Sequence, residues 1–110
     1  MKIAIQHLYR PSHEGDGLLY AWFSSMHTRV DILLYSQKPE EELMSVVERI
    51  HAALSYLEKI ANYYDPASEL AVINRTASIC PVILSRQLYT MIDLCMEYHG
   101  KTSGCFDVTV

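Results

Sequence analysis

Three short segments set aromatic or sulfur side chains beside polar groups and turns. They are Ser25-Met26-His27-Thr28, the run Tyr63-Tyr64-Asp65-Pro66-Ala67-Ser68-Glu69-Leu70 leading into Ile73-Asn74-Arg75, and the run from Thr102-Ser103-Gly104 through Cys105-Phe106-Asp107 to Val108-Thr109-Val110. A flat heteroaromatic ligand needs such groups: apolar faces to stack on, with a few fixed donors and acceptors around them. The residue types leave a plainer reading open, in which Tyr64 is a loop aromatic and Phe106 a core residue. Other chemistries lack their residues. The histidines His7, His13, His27, His51 and His99 form no H-x-x-x-H pair and no other metal-ligand spacing. No G-x-S-x-G, P-loop or G-x-G-x-x-G sequence occurs. Cys80, Cys95 and Cys105 are odd in number and contain no C-x-x-C, which argues against a zinc ribbon, a thioredoxin-like site or a disulfide framework.

Composition narrows the partners. The chain has 110 residues, of which 50% are apolar and 20% charged, a globular composition for one small domain. Its formal net charge is -4, and Lys and Arg are scattered. Nucleic-acid binding needs clustered positive charge to displace counterions, so it is not expected. No apolar run approaches the ~20 residues of a membrane span. The start Met1-Lys2-Ile3-Ala4-Ile5-Gln6-His7 lacks the long apolar stretch of a secretory signal, so a cytoplasmic location is expected.

The elements that must position the three segments follow from periodicity. Met1–Tyr9 is a candidate short strand, and Pro11–Gly17 has loop chemistry. Leu18–Met26 is apolar and aromatic. Thr28–Tyr35 alternates as a strand, with Val30, Ile32 and Leu34 on one face and Arg29 and Asp31 on the other. Pro39 suits the first turn of a helix, and Glu40, Glu41 and Glu42 follow at the positive end of its dipole. Leu43, Val46, Val47, Ile50, Leu54 and Leu57 then recur at helical steps, forming a stripe expected to pack on a sheet that contains the Thr28–Tyr35 strand. Asp65 or Ser68 can cap a short second helix through Ile73. Ile79–Leu84 reads as a short strand. Ser85 is a good N-cap for a third helix, which Gly100 is placed to end. Cys105–Val110 reads as the beginning of another strand. The sum is an α+β domain, a sheet with a long helix packed across it, and it reads as incomplete because the strands have few partners.

The same segments resemble motifs of the ApbE flavin transferases. Tyr64-Asp65-Pro66-Ala67-Ser68-Glu69-Leu70 with Asn74 is similar to that family's Y-D-P-x-S-E-L-x-x-L-N. Thr102 to Val110 resembles T-G-G-A-F-D-x-T-V, with Ser103 at a glycine and Cys105 at the alanine. Met26-His27-Thr28 resembles M-G-T, with His27 at the glycine. The resemblance runs in order from about Trp22 to Val110, behind a variable segment 1–21.

What this resemblance implies is specific. The fold would be the N-terminal part of an ApbE-like, T-fold-related domain, truncated within 1–110. The activity would be that of an FAD:protein FMN transferase, which moves FMN from FAD to a threonine of a target protein with Mg²⁺. Met26, Tyr64, Cys105, Phe106 and Asp107 match residues that line the flavin nucleotide site. The resemblance assigns no catalytic residue and no metal ligand to this chain, because the family's later segments carry the magnesium site. The isolated chain is therefore expected to be inactive. Expected partners are FAD, an acceptor protein, and a second copy of the chain if apolar surface is left uncovered. Family members are often exported, in contrast to the cytoplasmic reading. Two further readings stay open: a non-catalytic module that binds flavin nucleotide or protein, and a truncated remnant.

Overall fold

The computed structural model describes residues 4–11, 13 and 15–109. The chain forms two compact units, Met1–Glu58 and Lys59–Val110.

In the first unit, strands β1 (Gln6–Arg10), β2 (Gly17–Ser25) and β3 (Thr28–Ser36) form an antiparallel sheet in the order β1-β2-β3. The start of the strand expected over Met1–Tyr9 falls at residues 1–3, outside the described residues. β3 matches the expected Thr28–Tyr35 strand to within one residue. β2 alternates as a central strand should, with Leu19, Ala21, Phe23 and Ser25 buried on one face. Helix α1 (Glu40–Ala61) covers that face. Its Leu43 and Val47 close a core with Leu19 and Ala21, lined further by Ile5, Tyr9, Ile32, Leu34 and Met44. The Pro39 carbonyl accepts from the Leu43 N–H at 3.3 Å, so Pro39 stands at the helix edge, just before its first turn. At the same end, His7 Nε2 lies 3.0 Å from the Glu40 carboxylate.

The contacts along α1 give its direction. After Leu43 and Val47 on Leu19 and Ala21, His51 meets Phe23 edge-on at 4.8 Å, and Glu58 reaches Met26. From Leu43 to Glu58 a helix advances roughly 22 Å at 1.5 Å per residue. From Leu19 to Met26 a strand advances roughly 23 Å at 3.3 Å per residue. The helix therefore runs along the central strand and in the same direction. Leu43 and Val47 are buried as expected, whereas Ile50, Leu54 and Leu57 are half-buried. Among the described residues β1 pairs with β2 from Leu18 to Trp22, and β3 pairs with it over its whole length.

In the second unit, α2 (Glu69–Thr76) and α3 (Arg86–Lys101) follow the end of α1. Ser68 and Ser85 cap them, each accepting a backbone N–H three residues on. Leu88 and Ala71 are buried. Three expectations fail here. Ile79–Leu84 is not a strand: the Ile79 and Cys80 amides turn back onto the Thr76 carbonyl at 3.0 and 3.1 Å, residues 81–84 pair with no described strand, Ile79 is 80% and Ile83 97% exposed, and Pro81 removes one ladder donor. Gly100 stays helical; Ser103, at φ +54°, takes the left-handed position that ends α3. Cys105–Thr109 forms turns instead of a strand, because side chains capture its amides: Thr102 Oγ1 accepts from Phe106 N–H at 2.9 Å, and Asp107 Oδ1 from Thr109 N–H at 2.9 Å. Val110 lies outside the described residues. The α+β class holds: the described residues form three antiparallel strands and three helices.

Candidate functional site

The first candidate segment is the tip of the β2–β3 hairpin. Ser25 and Thr28 are the last paired residues, so Met26 and His27 make a two-residue turn. Both have positive φ, 51° and 59°, the signature of a type I′ turn. Left-handed backbone costs a side-chain-bearing residue about 1 kcal/mol or more, which is why glycine is favoured at such positions. Met26 is 46% exposed, and its N–H donates to Glu58 Oε1 at 3.2 Å. At the foot of the turn, the Ser25 hydroxyl is buried and has no hydrogen-bond partner among the described residues.

The second segment follows α1. Asn62 Oδ1 accepts from Tyr64 N–H, and Asp65 Oδ1 from Ala67 N–H, each bending the chain locally. The Ser68 hydroxyl donates to the Asn62 carbonyl at 2.6 Å and accepts from Ala71 N–H at 3.1 Å. Glu69 grips the start of α3 with both oxygens: Oε2 accepts from Ser85 N–H at 2.7 Å and Oε1 from the Ser85 hydroxyl at 2.6 Å. Asp65, Ser68 and Glu69 are thus structural. The side chains left facing outward are aromatic: Tyr64 is 84% exposed and packs edge-to-face on Tyr63 at 5.1 Å. Together with Pro66, Ala71, Asn74 and Arg75 they line a surface pocket of about 270 Å³. The Arg75 guanidinium donates to the Pro66 carbonyl at 3.0 Å, fixing one rim.

The third segment is the C-terminal end of α3. Ser103 N–H donates to the Gly100 carbonyl, and Gly104 N–H to the His99 carbonyl at 2.8 Å, the paired bonds of a Schellman motif. Gly104, at φ +84°, carries the chain on. Phe106 is held by its own amide on Thr102 and by its carbonyl, which accepts from His99 Nδ1 at 2.9 Å. Its ring is 44% exposed and lines an apolar pocket of about 380 Å³ with Leu94, Cys95, Tyr98 and Thr102. Asp107 lines a smaller adjoining pocket with Cys95, Met96, His99, Val108 and Thr109. The Thr109 hydroxyl donates to Asp107 at 2.6 Å; that bond first, then the Thr109 amide, holds the carboxyl below its usual range. Cys105 is exposed and lines neither pocket.

The structure thus gathers Phe106 and Asp107 at the end of α3 and sets Tyr64 at a separate pocket with no lining residue in common. Met26 belongs to the other compact unit. Glu58 and the Glu69–Ser85 clamp were not singled out from sequence, since a glutamate on a helix carries no signal of what it reaches. Among the described residues no three His, Cys, Asp or Glu side chains come together to hold a metal ion. Among them, too, no helix is long and apolar enough to cross a membrane.

Comparison with known proteins gives one consistent result. The sequence profile of the ApbE family matches residues 26–110. The FAD:protein FMN transferase of Treponema pallidum (strain Nichols) is 26% identical over 76 residues, covering 69% of this chain and 21% of that protein. The FAD:protein FMN transferase of Chlamydia pneumoniae is 30% identical over 79 residues, 72% of this chain and 25% of the relative. That of Chlamydia muridarum (strain MoPn / Nigg) is 28% identical over 80 residues, 73% and 24% of the two chains. This chain therefore spans about a quarter, or less, of the length of these curated relatives. No solved structure matches it.

Proposed function

Because this chain belongs to the ApbE family, we propose that it supplies flavin-facing surface of an FAD:protein FMN transferase and is inactive when isolated. In the reaction, a threonine hydroxyl of the acceptor protein attacks the FMN phosphorus of FAD. The P–O bond to AMP breaks, the threonine Oγ–P bond forms, AMP leaves and the hydroxyl proton is lost to a base. This chain's part is binding. The observation that carries the reading is Tyr64, 84% exposed over a pocket rimmed by Pro66, Asn74 and Arg75, inside the stretch the family profile matches. An exposed tyrosine ring held at a fixed turn offers a stacking face for the flavin. The Met26 thioether offers a polarizable contact to an aromatic ring. Phe106 offers a second ring, while Asp107 and the Cys105 backbone offer acceptors for polar edges of the nucleotide.

Mg²⁺ chemistry falls outside this proposal; among the described residues no three His, Cys, Asp or Glu side chains come together. A second reading, in which the chain alone acts as a flavin-nucleotide-binding module, rests on the same exposed Tyr64 over its pocket. Self-association is part of the proposal: α3 leaves Leu94 and Tyr98, one turn apart on the same face, about half exposed, a surface that a second copy would cover. The test is titration of FAD with the purified chain, following flavin fluorescence. Saturable quenching that weakens in Tyr64→Ala supports the reading. Saturable binding of the same strength in the variant removes Tyr64 from the site.

A further inference from the structure

We infer that Glu58 is a positioning residue for the hairpin tip, holding the Met26–His27 turn in place through the Met26 amide; the inference rests on the flavin reading above. In a two-residue turn the ladder ends at Ser25 and Thr28, so the Met26 N–H has no strand partner. Glu58 supplies one from α1, 32 positions along the chain, at 3.2 Å. The acceptor is a carboxylate, and a hydrogen bond to a charged group outweighs one between neutral groups. The turn needs a tether, because neither central residue is glycine and both hold positive φ. The Ser25 hydroxyl is buried and has no hydrogen-bond partner among the described residues. The geometry leading to Glu58 is fixed well before the tip: Leu43 and Val47 lie on Leu19 and Ala21, and His51 abuts Phe23. The bond thus carries the order of the core out to an exposed methionine. A turn already ordered before the ligand arrives has less freedom to lose on binding.

The experiment uses the 110-residue chain in wild-type, Glu58→Ala and Glu58→Gln forms, with Glu48→Ala as an exposed-surface control on the same helix. Amide exchange at Met26, the Met26 methyl resonance during FAD titration, and FAD affinity are read together. In Glu58→Ala the Met26 amide is expected to lose protection, the FAD-induced methyl shift to shrink, and affinity to fall about tenfold, the factor that one hydrogen bond to a charged group corresponds to. Glu58→Gln keeps a carbonyl oxygen and should restore the methyl shift and most of the affinity. A mainly structural role would lower unfolding stability and leave the methyl shift of the folded protein intact, and that result overturns the inference. Wild-type affinity and methyl shift in Glu58→Ala also overturn it and leave the flavin reading standing. If the wild-type chain gives no saturable FAD response, the flavin reading itself fails and the assignment fails with it.

Discussion

Replacing Glu69 by alanine should unfasten the two helices of the second unit. Glu69 accepts from the Ser85 amide at 2.7 Å and from the Ser85 hydroxyl at 2.6 Å. The second bond also orients that hydroxyl, whose oxygen must accept from Leu88 N–H to cap α3. Each hydrogen bond to a charged group contributes about 1.5–3 kcal/mol. The carboxylate is half-buried, and water can replace part of what is lost, so the low end applies and Glu69→Ala should cost about 2 kcal/mol. Ser85→Ala removes the cap as well, about 1 kcal/mol on its own, together with one Glu69 bond. The pair should therefore show a coupling of about 1 kcal/mol in a double-mutant cycle. Urea unfolding followed by far-UV circular dichroism measures all four proteins, and the mid-points fix the differences. A Glu69→Ala loss below about 0.5 kcal/mol, with additive effects in the double variant, would refute the clamp.

Other expectations follow from single positions. His27→Gly and Ser103→Gly each place glycine at a left-handed residue and should stabilise the chain by about 0.5–1 kcal/mol in urea titrations, whereas a loss would contradict the turn geometry. Leu19→Ala empties a fully buried position against Leu43 and Val47 and should cost about 3 kcal/mol by the same assay. Asp107, bonded to Thr109, should titrate by NMR below the ordinary aspartate value of 3.8, and Thr109→Val should move it back up. Because its folded pKa is depressed, whatever stability it lends is present above 3.8 and is lost as pH falls through the lower, folded value; a rise in stability on acidification below 3.8, absent in Thr109→Val, would contradict the sign.

The sequence pattern made α1, β3 and the cap Ser85 legible, because each is written locally as a stripe, an alternation or a hydroxyl before a helix; for α2 it left Asp65 and Ser68 as candidates, and Ser68 is the cap. The strand expected at Cys105–Val110 failed because apolar alternation there competes with Thr102 and Asp107, whose side chains take the amides a ladder would use. Gly100 misled for a related reason: a Schellman motif is set by bonds reaching three and five residues back, to Gly100 and His99, and Ser103 satisfies it at the expense of a strained φ. In the candidate site, Tyr64 is exposed, in keeping with its reading as a loop aromatic beside Asp65-Pro66. The partners that hold the segments, Glu58 for Met26 and Ser85 for Glu69, lie 32 and 16 residues away, beyond the reach of any local pattern. His27 and Ser103, which depart from the glycines of the family motif, both fall at positive φ, so those departures concern backbone conformation first.

The most direct test of the central claim is the mass of a threonine-bearing acceptor protein after incubation with FAD, Mg²⁺ and a chimera. In the chimera, the matched region of this chain replaces the corresponding segment of the Treponema pallidum FMN transferase, and circular dichroism establishes that the product is folded. The account predicts a covalent FMN mass increase with the chimera, a sharply smaller one when the chimera carries Tyr64→Ala, and none with the isolated chain. A folded chimera that leaves the acceptor mass unchanged, or an isolated chain that raises it, would contradict the account.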